Sequence, residues 1–420
     1  MYATYRDSRA RVFIPEADEI YGDGFEYNRG IVEFNLYDCS TGCTERLIVP
    51  LPLEGYLYGL GEVPGGWPSA ATRAQAVAAR TYAAYALKRY GLRSYCNCDL
   101  TDGAGDQVYI AYDREGGVNG NLWVDAVDTT ADQVVTYQGG LIQAFYASSD
   151  GGHSENVEDA WHGGDNAYAI PWLTGVCDPG ESTPANPWTD WSRTFSAGEV
   201  TSRLHLGVGV VEDFGQVERG VSGRVIRALV TGATGSTWIS GSDLRSRLGL
   251  RDDRVWINAD RNILGPIREK YDSLNCKPGL PTSSLVQLAH GARMRFGGSG
   301  LFHNAQAGVT VWLRGAIFSE YSAVGGAGGA LGLPTSEVAA LRCPSCRRAS
   351  FEGGRIYSRA GAGTHALWGR VLDAYLGVGG ASGRLGFPTS RVLEVSPGTW
   401  SATFQRGAIS CPPSGACSVG

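Results

Sequence analysis

Apolar and β-branched residues fall in short runs separated by Gly, Pro, Asn and Asp. "RGIVEFNLYD" and "RLIVPLPL" read as early strands, "SGRVIRALVTG" as a later one, and "QVVTYQGGLIQAFYASS" as a strand-type stretch with a Gly-Gly hairpin turn. One segment breaks this rhythm. Ser69 to Arg89 is rich in good helix formers, enters through Pro68 and Ser69, and leaves on Lys88 and Arg89 with Gly91 as its C-cap. Its small face, Ala71, Ala74 and Ala78 followed by Tyr82 and Tyr85, permits close approach of other backbone, which makes this helix central. "SGSDLRSRLGL" predicts a short helix capped by Ser or Asp. Helices and strands mix without a βαβ alternation, so the pattern predicts an α+β fold rather than a doubly wound one.

The C-terminal part repeats itself. "KPGLPTSSLVQL", "ALGLPTSEVAAL" and "RLGFPTSRVLEV" recur about every 53 residues, preceded by "GPIREKYDSL", "GAIFSEYSAVGG" and "GRVLDAYLGVGG". Each unit reads as a strand pair with a Gly-rich turn, a short helix, a Gly loop and the Leu-Pro-Thr-Ser turn. The first copy begins with its helix half near Leu264 and the last stops after its strand half, "FQRGAISC". A ring closed by pairing the two ends and a linear stack with capped ends are both open.

A chain of 420 residues exceeds one ordinary core, and the start of the repeats divides it into domains at 1–260 and 261–420. With 43% hydrophobic and 19% charged residues it belongs among globular proteins, and no apolar run approaches the ~20 residues of a membrane-spanning helix. A formal charge of −6 without a basic stripe argues against a nucleic-acid partner. The ten cysteines include the close pairs Cys39/Cys43, Cys96/Cys98, Cys343/Cys346 and Cys411/Cys417, with Cys177 and Cys276 apart. Zinc is the lesser reading, because no His stands at ligand spacing; disulfides are the expectation, and with them an extracytoplasmic location. The opening "MYATYRDSRARVFIPEADEI" has no apolar signal-peptide core, so a mature or trimmed form is expected.

Candidate chemistry centres on Glu62. Pro64 and Pro68 keep its loop from becoming helical, while Gly61, Gly65 and Gly66 let backbone approach a ligand closely. Trp67 and Val63 are expected to desolvate the carboxyl and raise it above the ~4.3 reference, giving a proton donor at neutral pH. An ordinary solvated loop glutamate is the alternative. Gln75 and Arg80 stand among the helix alanines, either as groove residues or as structural hydrogen-bond partners.

These residues carry a resemblance. "LPLEGYLYGLGEVPGGWPSAATRAQAVAARTYAAYAL", "TYQGGLIQAFYASSDGGHSENVEDAW", "YAIPWLTGVCDP" and "SGRVIRALVTG" through "DDRVWIN" occur in the order of the SpoIID/LytB family and span nearly all of 25–258. Ala71 and Asp150 depart from the family pattern. The resemblance implies a SpoIID-like mixed domain with one central Ala-rich helix, acting on peptidoglycan glycan strands. It implies a secreted lytic transglycosylase that cleaves the β-1,4 bond between N-acetylmuramic acid and N-acetylglucosamine, with Glu62 as catalytic acid/base. No cofactor or metal is implied. A non-catalytic amidase enhancer that binds glycan or a wall hydrolase, and a structural wall protein, are the alternatives. For glycan binding the candidates are Trp67, Gln75, Arg80, Tyr146, Ser148, Ser149, Gly151, Gly152 and His153; the competing reading of Asp150-Gly151-Gly152 is a plain turn. Asp150, Glu155 and Asp159 rank below Glu62 as carboxylates, and His153 with His162 supplies too few ligands for a metal. The C-terminal motifs resemble LGFP repeats of actinobacterial envelope proteins, which implies a module that binds another envelope polysaccharide. The first copy departs from the pattern, reading Pro-Gly-Leu-Pro.

Overall fold

The computed structural model describes residues 49–420 other than 97, 104, 183–185, 187 and 189, with the backbone alone of Ser182 and of five strands between residues 2 and 48. The chain forms two compact units, Met1–Ser148 and Ser149–Gly420, each taken below by itself. Among the described residues no helix is long and apolar enough to cross a membrane.

In the first unit, β1 (Tyr2–Arg6), β2 (Arg9–Ile14) and β3 (Phe25–Tyr27) form one antiparallel sheet, and β4 (Glu33–Tyr37) pairs with β5 (Thr44–Ile48). The strands expected in "RGIVEFNLYD" and "RLIVPLPL" are present as β4 and β5. The prolines of the second stretch instead lead into α1 (Leu53–Tyr58), which starts after Pro52. The Cys39/Cys43 pair lies outside the described residues.

The long helix is observed as α2 (Ser69–Tyr90), ending on Gly91 at φ +59, a left-handed value that glycine adopts at little cost. Its buried stripe is Thr72, Ala76, Ala79, Ala83 and Ala86, at the three- and four-residue spacing of one helix face. Ala71 and Ala74 are exposed, so the small face expected from the sequence is corrected by part of a turn. With α3 (Tyr112–Glu115) and α4 (Gly120–Asp128), the helices enclose a core of Leu57, Leu60, Ala76, Ala79, Trp123 and Val127. Alanines on α2 leave room for the Trp123 indole, whose Nε1–H donates to the Leu57 carbonyl at 2.9 Å. The hairpin of β6 (Thr136–Tyr137) and β7 (Gly140–Leu141) turns on Gln138 and Gly139, both at positive φ, one residue earlier than the Gly-Gly reading.

The second unit opens with α5 (Val157–Trp161) and α6 (Ala197–Leu204), the latter closed by a Ser196/Glu199 capping box. A meander of β8 (Val211–Arg219), β9 (Val225–Gly232) and β10 (Gly235–Ser240) follows, then α7 (Gly241–Leu248), with Ser240 as the N-cap. Leu204, Val211, Val225, Ala228, Val230, Ile239, Leu244 and Leu248 form their shared core.

The repeats consist of α8 (Gly265–Ser273), then β11 (Val286–Leu288), β12 (Gly291–Phe296), β13 (Ser299–Asn304) and β14 (Val309–Arg314) as one antiparallel sheet. Next come α9 (Gly315–Ala323) and a sheet of β15 (Ala339–Ala340), β16 (Arg347–Ser350), β17 (Gly354–Arg359) and β18 (Gly363–Trp368). The last are α10 (Gly369–Gly377) and a sheet of β19 (Leu393–Ser396), β20 (Thr399–Phe404), β21 (Gly407–Cys411) and β22 (Ser418–Val419). Every unit is built on the same three side-chain relations. Its helix opens on a glycine at φ +55 to +57 (Gly265, Gly315, Gly369). The helix tyrosine (Tyr271, Tyr321, Tyr375) donates to the carbonyl of the turn glycine (Gly279, Gly332, Gly386) at 3.2, 2.8 and 2.7 Å. The same ring stacks on Phe296, Phe351 or Phe404. The turn signature is therefore the seat of a buried tyrosine, and Gly279 keeps that seat in the divergent first copy.

Adjacent repeats are joined by two recurring contacts. Lys270 of α8 pairs with Glu337, and the equivalent Glu320 of α9 pairs with Arg391 at 2.6 Å, with the charges exchanged. Asn304 donates to Glu352 at 2.9 Å, and the equivalent Arg359 donates to Gln405 at 2.8 Å. At the ends these positions carry Ser284 and Gly297 on one side, Ala374 and Pro412 on the other. The first and last sheets share no ladder, and Gly420 bonds back to Ala408. Among the described residues the three repeats therefore form a linear stack rather than a closed ring, and the outermost positions equivalent to these contacts carry no charge.

Among the described residues, four disulfides join Cys96–Cys98, Cys177–Cys276, Cys343–Cys346 and Cys411–Cys417, in keeping with the disulfide reading rather than zinc. The pair that the sequence left apart ties the segment before the repeats to the first of them.

Glu320 is 6% exposed and also accepts the Ala366 N–H. Glu320→Lys is expected to cost about 3 kcal/mol, because it breaks a largely buried pair. The Glu320→Lys/Arg391→Glu double variant should recover part of that loss in a denaturation cycle. Lys270→Glu, opposite the solvent-exposed Glu337, should cost less than about 1 kcal/mol.

Candidate active site

Glu62 is held by a short backbone pairing. Gly61 N–H donates to Val108 O at 2.9 Å and Ile110 N–H to Gly59 O at 2.8 Å, with Leu60 opposite Tyr109. A Cβ on Gly59 would lie 2.3 Å from the Tyr109 ring, and one on Gly65 2.4 Å from the Asn119 carbonyl. These glycines let the loop press onto its own domain. The expectation that they admit a ligand is corrected accordingly.

The pairing sets the half-buried Glu62 carboxylate against two groups, the Val108 amide and the Tyr146 hydroxyl. Oε1 accepts from the Val108 N–H at 2.8 Å and from the Tyr146 hydroxyl at 3.0 Å. Gln107 Nε2 donates to the Tyr146 oxygen at 3.0 Å and to the Ala79 carbonyl at 3.3 Å, while Tyr56 donates to Gln107 Oε1 at 3.1 Å. No described residue donates to Oε2. Burial lifts the Tyr56 and Tyr146 phenols above their usual range, with the Glu62 carboxylate adding to the effect, so both stay protonated at neutral pH. Next in the chain, Asp106 is bound by Arg93 at 2.6 and 2.8 Å, by the Thr101 N–H and hydroxyl, and by Tyr82. Burial opposes its ionisation, but Arg93 and Thr101 outweigh that and hold its carboxyl below the usual range. Asp106 thus anchors the segment that carries Gln107 and Val108.

Of the other expected site residues in this unit, Tyr146 is at the carboxylate and Gln75 keeps a shielded Nε2 without a protein partner. Trp67 is 45% exposed, and the groups touching the carboxylate are Val108 and Tyr146. Ser148 is exposed at the end of the unit. Arg80 is 1% exposed and fully engaged inside: Nε and Nη2 grip Glu54 at 2.7 and 2.8 Å, and further bonds reach the Val127 and Gln133 carbonyls. It fastens α1, α2 and α4 together rather than facing a groove. Gln107, Tyr56 and the Val108 amide were missed by the sequence reading, since "DQVY" carries no local signature of its partners.

In the second unit, Asp150 accepts the Gly152 N–H at 2.7 Å, and Gly151 and Gly152 adopt φ +70 and +92. Ser149 donates to Glu181, and Arg224 donates to the Asp150 and His153 carbonyls at 2.8 Å. Arg254 donates to the Gly151 carbonyl. The Asp-Gly-Gly segment is therefore a turn clamped by arginines. His153 bonds Ser154 O, whereas His162 stacks on Tyr168. Neither belongs to the two groups of potential metal ligands found among the described residues, Cys177/Asp272/Cys276 and Asp150/Asp178/Glu181. The first has both sulfurs in a disulfide; in the second, Glu181 is taken up by Ser149, Asp150 N–H and Asn186.

The segment that carries this loop, helix and carboxylate seat, residues 42–137, matches the SpoIID family, described as Stage II sporulation protein, and residues 331–383 match the LGFP repeat. Stage II sporulation protein D of Bacillus subtilis is 27% identical over 221 residues, covering 49% of this chain and 60% of that protein. An uncharacterized protein of Brachyspira hyodysenteriae is 30% identical over 171 residues, 40% of this chain and 43% of that protein. The amidase enhancer of B. subtilis is 30% identical over 142 residues, 34% of this chain and 17% of that protein. The chain thus spans less than two thirds of the length of each of these relatives.

Arg80→Ala is expected to lower unfolding free energy by about 3–5 kcal/mol in urea titrations, because Glu54 and two carbonyls lose their partner. Unchanged stability with weakened glycan binding would return Arg80 to the groove.

Proposed function

We propose that the chain is an extracytoplasmic, wall-associated protein that cleaves peptidoglycan glycan strands as a lytic transglycosylase. In this reading residues 1–260 act on the glycan and 261–420 bind another envelope polysaccharide through the repeats. The likeness to sporulation protein D and to the amidase enhancer supports a role at the cell wall. The disulfides among the described residues support an oxidising compartment.

The observation that carries the reading is the one-sided restraint of Glu62, with Oε1 fixed by two donors and no described donor on Oε2. A protonated Oε2 gives its proton to the glycosidic oxygen as the bond from muramic acid C1 breaks. The C6 hydroxyl of the same sugar attacks C1, and Oε2 takes the hydroxyl proton as the 1,6-anhydro ring closes. One carboxyl acts first as acid and then as base, so the proton balance closes without a water, metal or cofactor. Ordinary glycoside hydrolysis divides these tasks between two carboxylates. Gln75, whose Nε2 has no partner among the described residues, is the remaining candidate on α2 for holding the sugar.

The likeness to the amidase enhancer favours a second reading, in which the same surface binds glycan or a wall hydrolase without cutting.

Incubation with glycan strands, intact and stripped of stem peptides, followed by mass spectrometry is expected to yield 1,6-anhydromuramic ends. Glu62→Gln should lower the yield about 10²- to 10⁴-fold while leaving sedimentation with wall material intact. Absence of product on both substrates, with binding retained, would favour the non-catalytic reading.

A further inference from the structure

We propose that Gln107 is a positioning residue that fixes the direction of the hydrogen bond from Tyr146 to Glu62 and closes the inner side of that carboxyl to proton exchange. The proposal rests on Glu62 being the acid/base of the preceding section.

Gln107 is fully buried and its amide has one donating end and one accepting end. The Ala79 carbonyl, 3.3 Å away, can only accept, so the nitrogen must stand on that side. Oε1 is then left to accept from the Tyr56 hydroxyl at 3.1 Å. The second N–H of the amide points at the Tyr146 oxygen at 3.0 Å, which leaves the Tyr146 hydrogen directed at Glu62 Oε1. Every bond in the series Tyr56, Gln107, Tyr146, Glu62 thereby runs one way.

Two consequences follow for proton transfer. With Oε1 already accepting from Val108 and Tyr146, the exchangeable proton resides on Oε2. An amide nitrogen donates a hydrogen bond but has no basic lone pair with which to take up a proton in return. A proton cannot run inward from Glu62 through Tyr146 and beyond Gln107. The proton given to the leaving oxygen and the one taken from the attacking hydroxyl therefore pass through the same atom, as a one-carboxylate reaction requires. Burial of both phenols above their usual range keeps them as donors.

The test follows the titration of Glu62 itself, by ¹³C-carboxyl NMR of the full chain with Glu62→Gln as the difference control, alongside the anhydro-product assay. Gln107→Met removes the donor to Tyr146 at similar size, and the Glu62 midpoint should move up, since the carboxylate loses a directed donor. The alkaline limb of the pH–rate profile, where the proton that Oε2 must give is lost, should move with it, and kcat should fall about 10-fold with KM within about twofold. In a Tyr146→Phe background Gln107→Met should add no further shift. Gln107→Glu, with the shape of the glutamine, draws the Tyr146 hydrogen toward itself; it is the second variant should the first unfold, and it should move the midpoint the same way.

A structural role predicts a lower Tm with an unmoved midpoint, or the same shift in both backgrounds; either result overturns the proposal. If the wild type forms no anhydro product, the acid/base reading of Glu62 falls, while the titration still decides the role of Gln107.

Discussion

The site depends on a contact of two backbone bonds, Gly61 N–H to Val108 O and Ile110 N–H to Gly59 O. They bring a loop that precedes α2 against a segment more than forty residues later, and Glu62 meets the Val108 amide because of them. Neither segment is long enough to form a ladder alone. The approach is possible because Gly59 and Gly61 present no Cβ to Tyr109 and Ile110. Tertiary placement of a carboxylate is here a matter of glycine sterics first and of charge second.

Behind that contact stand two ion pairs of different kinds. Arg80 and Glu54 tie α1 to α2 from within, and the Arg80 guanidinium also collects the carbonyls at the end of α4 and beyond it. Arg93 and Asp106 fasten the approach to Gln107. The first fixes the helix from which the Ala79 carbonyl faces Gln107; the second fixes the backbone that delivers the amide. Orientation of the carboxylate is thus over-determined by groups that do not touch it.

Features with local signals were readable from the sequence. The span of α2, its Gly91 cap, the Ser240 cap of α7, the strand over Val225–Gly232 and the three repeats all follow from neighbouring residues. Glu62 was readable for the same reason, as a lone acid in a loop broken by Gly and Pro. What failed was long-range. A helix of alanines says little about which alanines are buried, so the sequence points Ala71 and Ala74 inward and leaves Arg80 open between the groove and the structural role that its bonds show. Gln107 was invisible because its three partners, Tyr56, Ala79 and Tyr146, lie 28 or more residues away. In Asp150-Gly151-Gly152 the positive-φ turn was legible, but not the arginines that consume its carbonyls.

The carboxylates near the motif residues bear on how many acids the chemistry can use. Asp106, adjacent to Gln107, is taken by Arg93, Thr101 and Tyr82. Glu155 accepts from the Val221 N–H and from Ser222, and Asp159 accepts from Asn156. Asp150 closes its own turn on Gly152. Recruiting any of them as a second catalytic group would break bonds that shape the local fold. Asp150 and Asp159 also keep one oxygen without a described donor, but Glu62 differs in that two donors, the Val108 N–H and the Tyr146 hydroxyl, fix its other oxygen. A reaction in which the sugar's own hydroxyl replaces the second carboxylate and water therefore asks nothing of these residues that their present bonds forbid.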